Sequence, residues 1–182
     1  MSRKYKIKNP EGIYFVSFAT VGWIDVFTRR IYKDILIDSL IDCQKEKGLE
    51  IYAWVIMSNH VHLICSSKTN DLSGTIRDLK RHTAKEILKT IENNIQESRK
   101  EWMLAIFKKA GTYNSNNANY QFWRQDNKPI ELFSNEVIQQ KVDYIHNNPV
   151  VEGYVENPED YVYSSAISYA DGKGLLDICI VG

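Results

Sequence analysis

The chain has few cysteines, few histidines and no long apolar run, and each scarcity excludes something. Cys43, Cys65 and Cys179 are odd in number and far apart, so they suit neither a disulfide framework nor a CxxC zinc pattern. Each reads as a reduced thiol packed like a small apolar side chain. No apolar stretch approaches the roughly 18 residues that a bilayer-spanning helix needs. The opening "MSRKYKIKNPEG" has charge but no apolar segment behind it, so it does not read as a secretory leader. A soluble, intracellular protein without a membrane partner is the expectation. Net charge is also lacking, at a formal zero, yet its distribution is uneven. Residues 1–149 carry 22 basic against 17 acidic side chains, and residues 150–182 carry one against six. An acidic tail masks a mildly basic body, which permits a nucleic-acid partner without requiring one.

With 182 residues, 43% of them hydrophobic, the chain can bury one core, and a single domain over 1–182 is expected. "GIYFVSFATVG" (12–22) is rich in β-branched and aromatic residues and reads as a strand. "RIYKDILIDSLIDCQKEKG" (30–48) repeats apolar residues at helical spacing, with Gly48 as its stop. "LEIYAWVIM" (49–57) and "HVHLICS" (60–66) read as a hairpin joined at Ser58-Asn59, and residues 71–94 as an amphipathic helix. "SRKEWMLAIFKKAG" is a further helical piece that runs into the Asn-rich "GTYNSNNANY", a mobile loop by composition. "YQFWRQ" is a short strand candidate, "DNKP" a turn and "IELF" another short strand. "SNEVIQQKVDYIHNN" (134–148) reads as a helix opened by Ser134 or Asn135 and closed by Pro149. Residues 150–182 are turn-rich and are expected to wrap the core as an acidic C-terminal tail. This order predicts an α+β fold, a ferredoxin-like sandwich with an antiparallel sheet, helices on one face and an active site on the other.

Two of only four histidines stand one residue apart in "MSNHVHLI". Residues two apart on a strand share a face, about 7 Å apart along the chain. His60, His62 and Ile64 therefore point one way, and Val61, Leu63 and Cys65 point into a core. Two neighbouring imidazoles suit one metal ion, but a third donor is required. His82, among basic residues on a helix, reads as solvent-facing. His146 in "DYIHNNPV" merits a closer look as a third donor. Residue chemistry alone leaves Tyr144 one of 11 tyrosines.

"YAWVIMSNHVHLI" resembles the HUH motif (His, hydrophobic, His) with its preceding strand. "KVDYIHNNPVVEGYVENPEDYVYSS" is similar to the C-terminal signature of the REP-associated tyrosine transposases, members of the HUH superfamily of enzymes that nick and join single-stranded DNA. The resemblance covers roughly residues 10–170. It implies that His60 and His62 bind a divalent metal, Mg²⁺ or Mn²⁺, that Tyr144 is the nucleophile, and that Asn148 is the third metal ligand. It also implies a partner in single-stranded DNA folded into hairpins, a monomer or homodimer, and a cytoplasmic, nucleoid-associated location. Tyr144 and Asn148 are i and i+4, neighbours on one helix face, although a residue before proline avoids the α region.

A tyrosine hydroxyl titrates near pH 10 and needs help to attack a phosphodiester. The resemblance implies that it becomes joined to a 5′-phosphate, so that a later 3′-hydroxyl can reseal the strand. The absence of a GxxxxGK[ST] phosphate loop fits chemistry without a nucleotide cofactor. Candidates for DNA contact are Lys80, Arg81 and Lys85, then Lys108, Lys109, Trp123, Arg124 and Lys128 around the Asn-rich loop. Arg29, Arg30 and the arm Arg3, Lys4, Lys6 and Lys8 add further positive charge, and Tyr113 and Tyr120 can stack on bases. Two other readings are a silent hairpin-binding descendant and a phosphodiesterase that activates water.

Overall fold

The computed structural model describes residues 7–112, 119–125 and 127–180. Tyr113, Arg3, Lys4 and Lys6 lie outside them, as does most of the Asn-rich loop. Strands β1 (Tyr14–Ala19), β2 (Leu49–Ile56), β3 (His60–Ser67) and β4 (Ile130–Glu131) form one antiparallel sheet in the order β2-β3-β1-β4. The helices are α1 (Arg30–Lys47), α2 (Leu72–Asn93), α3 (Lys100–Thr112), α4 (Asn135–Val151) and the short α5 (Ala166–Tyr169). The α+β class and the ferredoxin-like sheet are as expected. No helix among the described residues is long and apolar enough to cross a membrane.

The period-2 pattern of the strands divides two apolar layers. Val16 and Phe18 of β1 and Val61, Leu63 and Cys65 of β3 pack with Leu36 and Leu40 of α1 and Ile76 and Leu79 of α2. On the opposite face, Phe15, Val55 and Ile64 pack with Ile138, Val142 and Ile145 of α4. Burying those three aliphatic side chains stabilises the docking of α4 by on the order of 2 kcal/mol each. The strand β2 changes parity on the way. A bulge at Tyr52 shifts its register between Ile51 and Ala53, so Ile51 and Trp54, three apart, share one core while Ala53 and Val55 face the other.

Two expectations are corrected. Residues 120–125 do not form a strand; Trp123 makes only an isolated bridge to Thr20. And α4 does not close at Pro149, which lies inside it and is buried. The stop is Gly153, at φ +73°. Its N–H donates to Val150 O at 3.0 Å, and Tyr154 N–H donates to Pro149 O at 2.9 Å. These paired bonds satisfy the last carbonyls of the helix around a left-handed residue. The start is as read, with Ser134 accepting from Val137 N–H at 3.4 Å.

The segment after α4 returns along β2. Ser164 bridges Val55, Ser165 Oγ accepts from Trp54 N–H at 2.9 Å, and Cys179 N–H donates to Ile51 O at 2.8 Å.

Candidate active site

Pairing of β1 with β3 sets Ser17 opposite His62 and Ala19 opposite His60. Both imidazoles rise from the α4 face of the sheet, with ring centroids 4.8 Å apart. The docking side of α4 is Ile138, Val142, Ile145 and Pro149, and the flank one step round carries Tyr144 and Asn148. The Tyr144 ring then stands 5.3 Å from His62 and 6.0 Å from Phe15, which itself stacks on His62 at 5.2 Å. His60, His62, Tyr144 and Asn148 all line one cleft of about 500 Å³. The tyrosine and both histidines come from one chain, and Tyr144 remains 49% exposed, open to a bulky substrate.

The two imidazoles are held differently. Asn59 Nδ2 donates to Trp23 O at 3.3 Å, which leaves its Oδ1 as an acceptor, and His60 Nδ1–H donates to it at 2.7 Å. His60 Nε2 therefore keeps its lone pair. His62 is buried, and its Nδ1 finds no hydrogen-bond partner among the described residues. Burial, followed by the nearby His60 and Lys141, pushes the His62 pKa down to about 3. Burial also lowers that of His60, against the opposing charge of Glu152. Both rings are thus neutral near pH 7, the form that ligates a metal.

This donor set fits a divalent ion. Among the described residues no three His, Cys, Asp or Glu side chains are grouped to hold one, so a third donor of another kind is needed. Asn148, which carries an amide oxygen, lines the same cleft. Since α4 runs past Pro149, Asn148 sits within regular helix rather than at a frayed end. His146 is turned away; its Nε2 and Ser165 Oγ are 2.8 Å apart, and its ring meets Tyr169.

The basic candidates do not gather in one place. Arg81 and Lys85 line a separate depression with Lys47 and Asp78 on the α1–α2 side, across the sheet from the histidines. Arg81 pairs there with Asp78 at 3.3 Å. Lys80 Nζ donates to Arg124 O at 2.8 Å and Asn127 Oδ1 at 2.6 Å. Lys108, Lys109 and Lys128 are exposed, as is His82. Arg29 is engaged with buried Glu97 at 2.8 Å. Trp123 is core: it is 5% exposed, stacks on Phe27, and its Nε1–H donates to Thr83 Oγ1 at 3.1 Å. It has no free face for a base.

Several cleft residues escaped the sequence reading. Gln140, Asn147 and Glu152 line it, at offsets of −4, +3 and +8 from Tyr144, so helical periodicity could have found them. Ser17 required the strand register. Lys141 lies with its Nζ 5.6 Å from the Tyr144 ring centre. Trp23, also on the cleft wall, had no local signal.

The sequence profile of the family described as "Transposase IS200 like" matches residues 18–110, about half of the chain. That span holds both histidines and ends before Tyr144. No curated protein sequence matches the chain. A solved structure of a REP-associated tyrosine transposase bound to a REP hairpin aligns over 100% of this chain and 91% of its own length, at 20% identity with a TM-score of 0.65. This likeness shows the fold. A crystal structure from Deinococcus radiodurans R1, named provisionally as a transposase, aligns over 81% of this chain and 95% of its own at 19% identity. Its TM-score of 0.46 is too low to support an argument.

Proposed function

Because this chain belongs to the IS200-like transposase family, we propose that it nicks and rejoins single-stranded hairpin DNA through a 5′-phosphotyrosine intermediate. The observation that carries this reading is the meeting of Tyr144 with His60 and His62 in one cleft of one chain. The hairpin substrate is supported by the fold shared with a transposase bound to a REP hairpin. On this reading the chain is one domain, with an acidic C-terminal tail that meets β2 through Ser164, Ser165 and Cys179.

Tyr144 Oη attacks phosphorus, the bond from phosphorus to the 3′ oxygen breaks, and that oxygen leaves with a proton while the phenol has lost one. The products are a tyrosine 5′-phosphodiester and a free 3′-hydroxyl. A new 3′-hydroxyl reverses the step and reseals the strand, so the phosphodiester bond is conserved without nucleotide hydrolysis. Docking of α4 on the sheet orients the phenol, and in-line placement is worth several orders of magnitude in rate. The ammonium of Lys141, close to the Tyr144 ring, favours both a developing phenolate and an incoming phosphate. His60, His62 and Asn148 would hold Mg²⁺ or Mn²⁺, which when bound supplies Lewis-acid polarisation of a phosphoryl oxygen.

The test uses end-labelled hairpins from the DNA flanking the gene, incubated with protein and Mn²⁺ and run on a denaturing gel. A retarded, denaturant-resistant band that disappears in Tyr144→Phe and in His60→Ala is expected. Cleavage that survives Tyr144→Phe would overturn the tyrosine mechanism in favour of activated water. Binding without cleavage would indicate a silent DNA-binding descendant.

A further inference from the structure

We propose that Trp23, backed by Arg124, is a stacking platform for one unpaired nucleobase of the DNA strand entering the cleft. The inference rests on the DNA reading above and assigns that site a nucleobase contact.

In "VGWIDVF" the apolar residues that follow Trp23 behave as core formers. Ile24, Val26 and Phe27 are 4% exposed or less, whereas Trp23, the largest of the group, is 54% exposed. Its backbone is also in the left-handed region, at φ +56°. That conformation is costly for a bulky side chain. The conformation leaves more than half of the side chain in solvent. A strained backbone that holds an aromatic ring in solvent points to a use for the ring.

The ring's position suggests the use. Trp23 lines the cleft with His60 and Tyr144, and its ring meets His60 edge-on at 6.1 Å. The Arg124 guanidinium lies 5.0 Å from the indole centre. Both backbones are tied down while both side chains reach outward. Trp23 N–H donates to Thr20 O at 3.2 Å and its carbonyl accepts from Asn59. Arg124 N–H donates to Ala19 O at 2.8 Å, and its carbonyl accepts from Lys80. A flat indole beside a fixed cation matches one nucleotide, with the base on the ring and the phosphate at the guanidinium. Contact with His60 assigns that nucleotide to the scissile phosphate or its neighbour.

The test measures anisotropy of a labelled hairpin with single-stranded flanks, using Tyr144→Phe protein so that nothing is cleaved. In a second series each flank nucleotide in turn is made abasic. One abasic position should weaken binding to the parent protein by about tenfold or more. Trp23→Leu should weaken binding of intact DNA similarly and be insensitive to that abasic position, whereas Trp23→Phe keeps most of both. Trp23→Gly, which relieves the positive φ, should bind as poorly as Trp23→Leu while melting no lower than the parent. Binding by Trp23→Leu within about twofold of the parent, or an undiminished abasic penalty, overturns the platform and leaves the transposase reading standing. No hairpin binding by the parent protein overturns both.

Discussion

His60 Nδ1–H donates to Asn59 Oδ1 at 2.7 Å, and through this bond a residue outside the cleft lining decides which nitrogen of His60 keeps a lone pair. Asn59 can do so because its own amide N–H is engaged with Trp23 O. Its backbone carbonyl accepts from Thr20 at 2.9 Å, so the turn persists without the side chain. Asn59→Ala should therefore leave the fold intact and weaken Mn²⁺ binding by roughly tenfold, measured by calorimetric titration. Unchanged affinity would show that the ring is oriented by packing alone.

Gly153 ends α4 one residue after its C-cap, at φ +73° with no heavy atom within 4 Å of where a Cβ would stand. The cost of Gly153→Ala is thus purely conformational, about 1 kcal/mol. A thermal melt should show a drop of a few degrees. If the midpoint is unchanged, Pro149 rather than Gly153 governs the helix end.

Glu97 is buried and receives Arg99 Nε–H at 3.1 Å and Arg29 Nε at 2.8 Å. Burial alone would raise its pKa, but the hydrogen bonds and charges of Arg99 and Arg29 hold it below the ordinary 4.5. A depressed carboxylate stabilises the fold above pH 4.5, and this contribution is lost as pH falls through the folded value. Glu97→Gln should therefore lower the urea midpoint at pH 7 and flatten the fall in stability below pH 4.5. Glu97→Ala, which removes the carboxylate that Arg29 and Arg99 share, should cost on the order of 3 kcal/mol at neutral pH. Parallel pH profiles for wild type and Glu97→Gln would refute the assignment.

Trp123 belongs to the core with Phe18, Phe27 and Phe122. Trp123→Ala should destabilise the protein by roughly 3–5 kcal/mol, read from denaturant unfolding. A variant of wild-type stability that had lost only DNA affinity would return Trp123 to the surface role that its neighbours in sequence suggested.

Much of this architecture was legible in local patterns. The β-branched and aromatic content of residues 12–22, the apolar run 60–66, helical spacing over 30–48 and 71–94, and the turn residues between them correspond to β1, β3, α1 and α2. The end of α4 was misread because a proline is a louder signal than a glycine four residues later, although only the latter adopts the left-handed conformation that stops the helix. Trp123 was misread because a tryptophan beside arginine looks alike whether it packs inward or stacks outward.

The sequence by itself determined which side chains share a face. His60 and His62 are related by the pleat of one strand, and Tyr144 and Asn148 by one helical turn, so short-range geometry suffices for each pair. Only the tertiary structure decided that the two pairs meet. The encounter depends on the register of β1 against β3, on the bulge at Tyr52, and on burial of Ile138, Val142 and Ile145 against the sheet. Those contacts join residues distant in the chain, and their free energy is collective, so no local pattern encodes where they bring the rings. The same holds for Trp23, whose exposed indole and left-handed backbone are defined by the packing of everything around them.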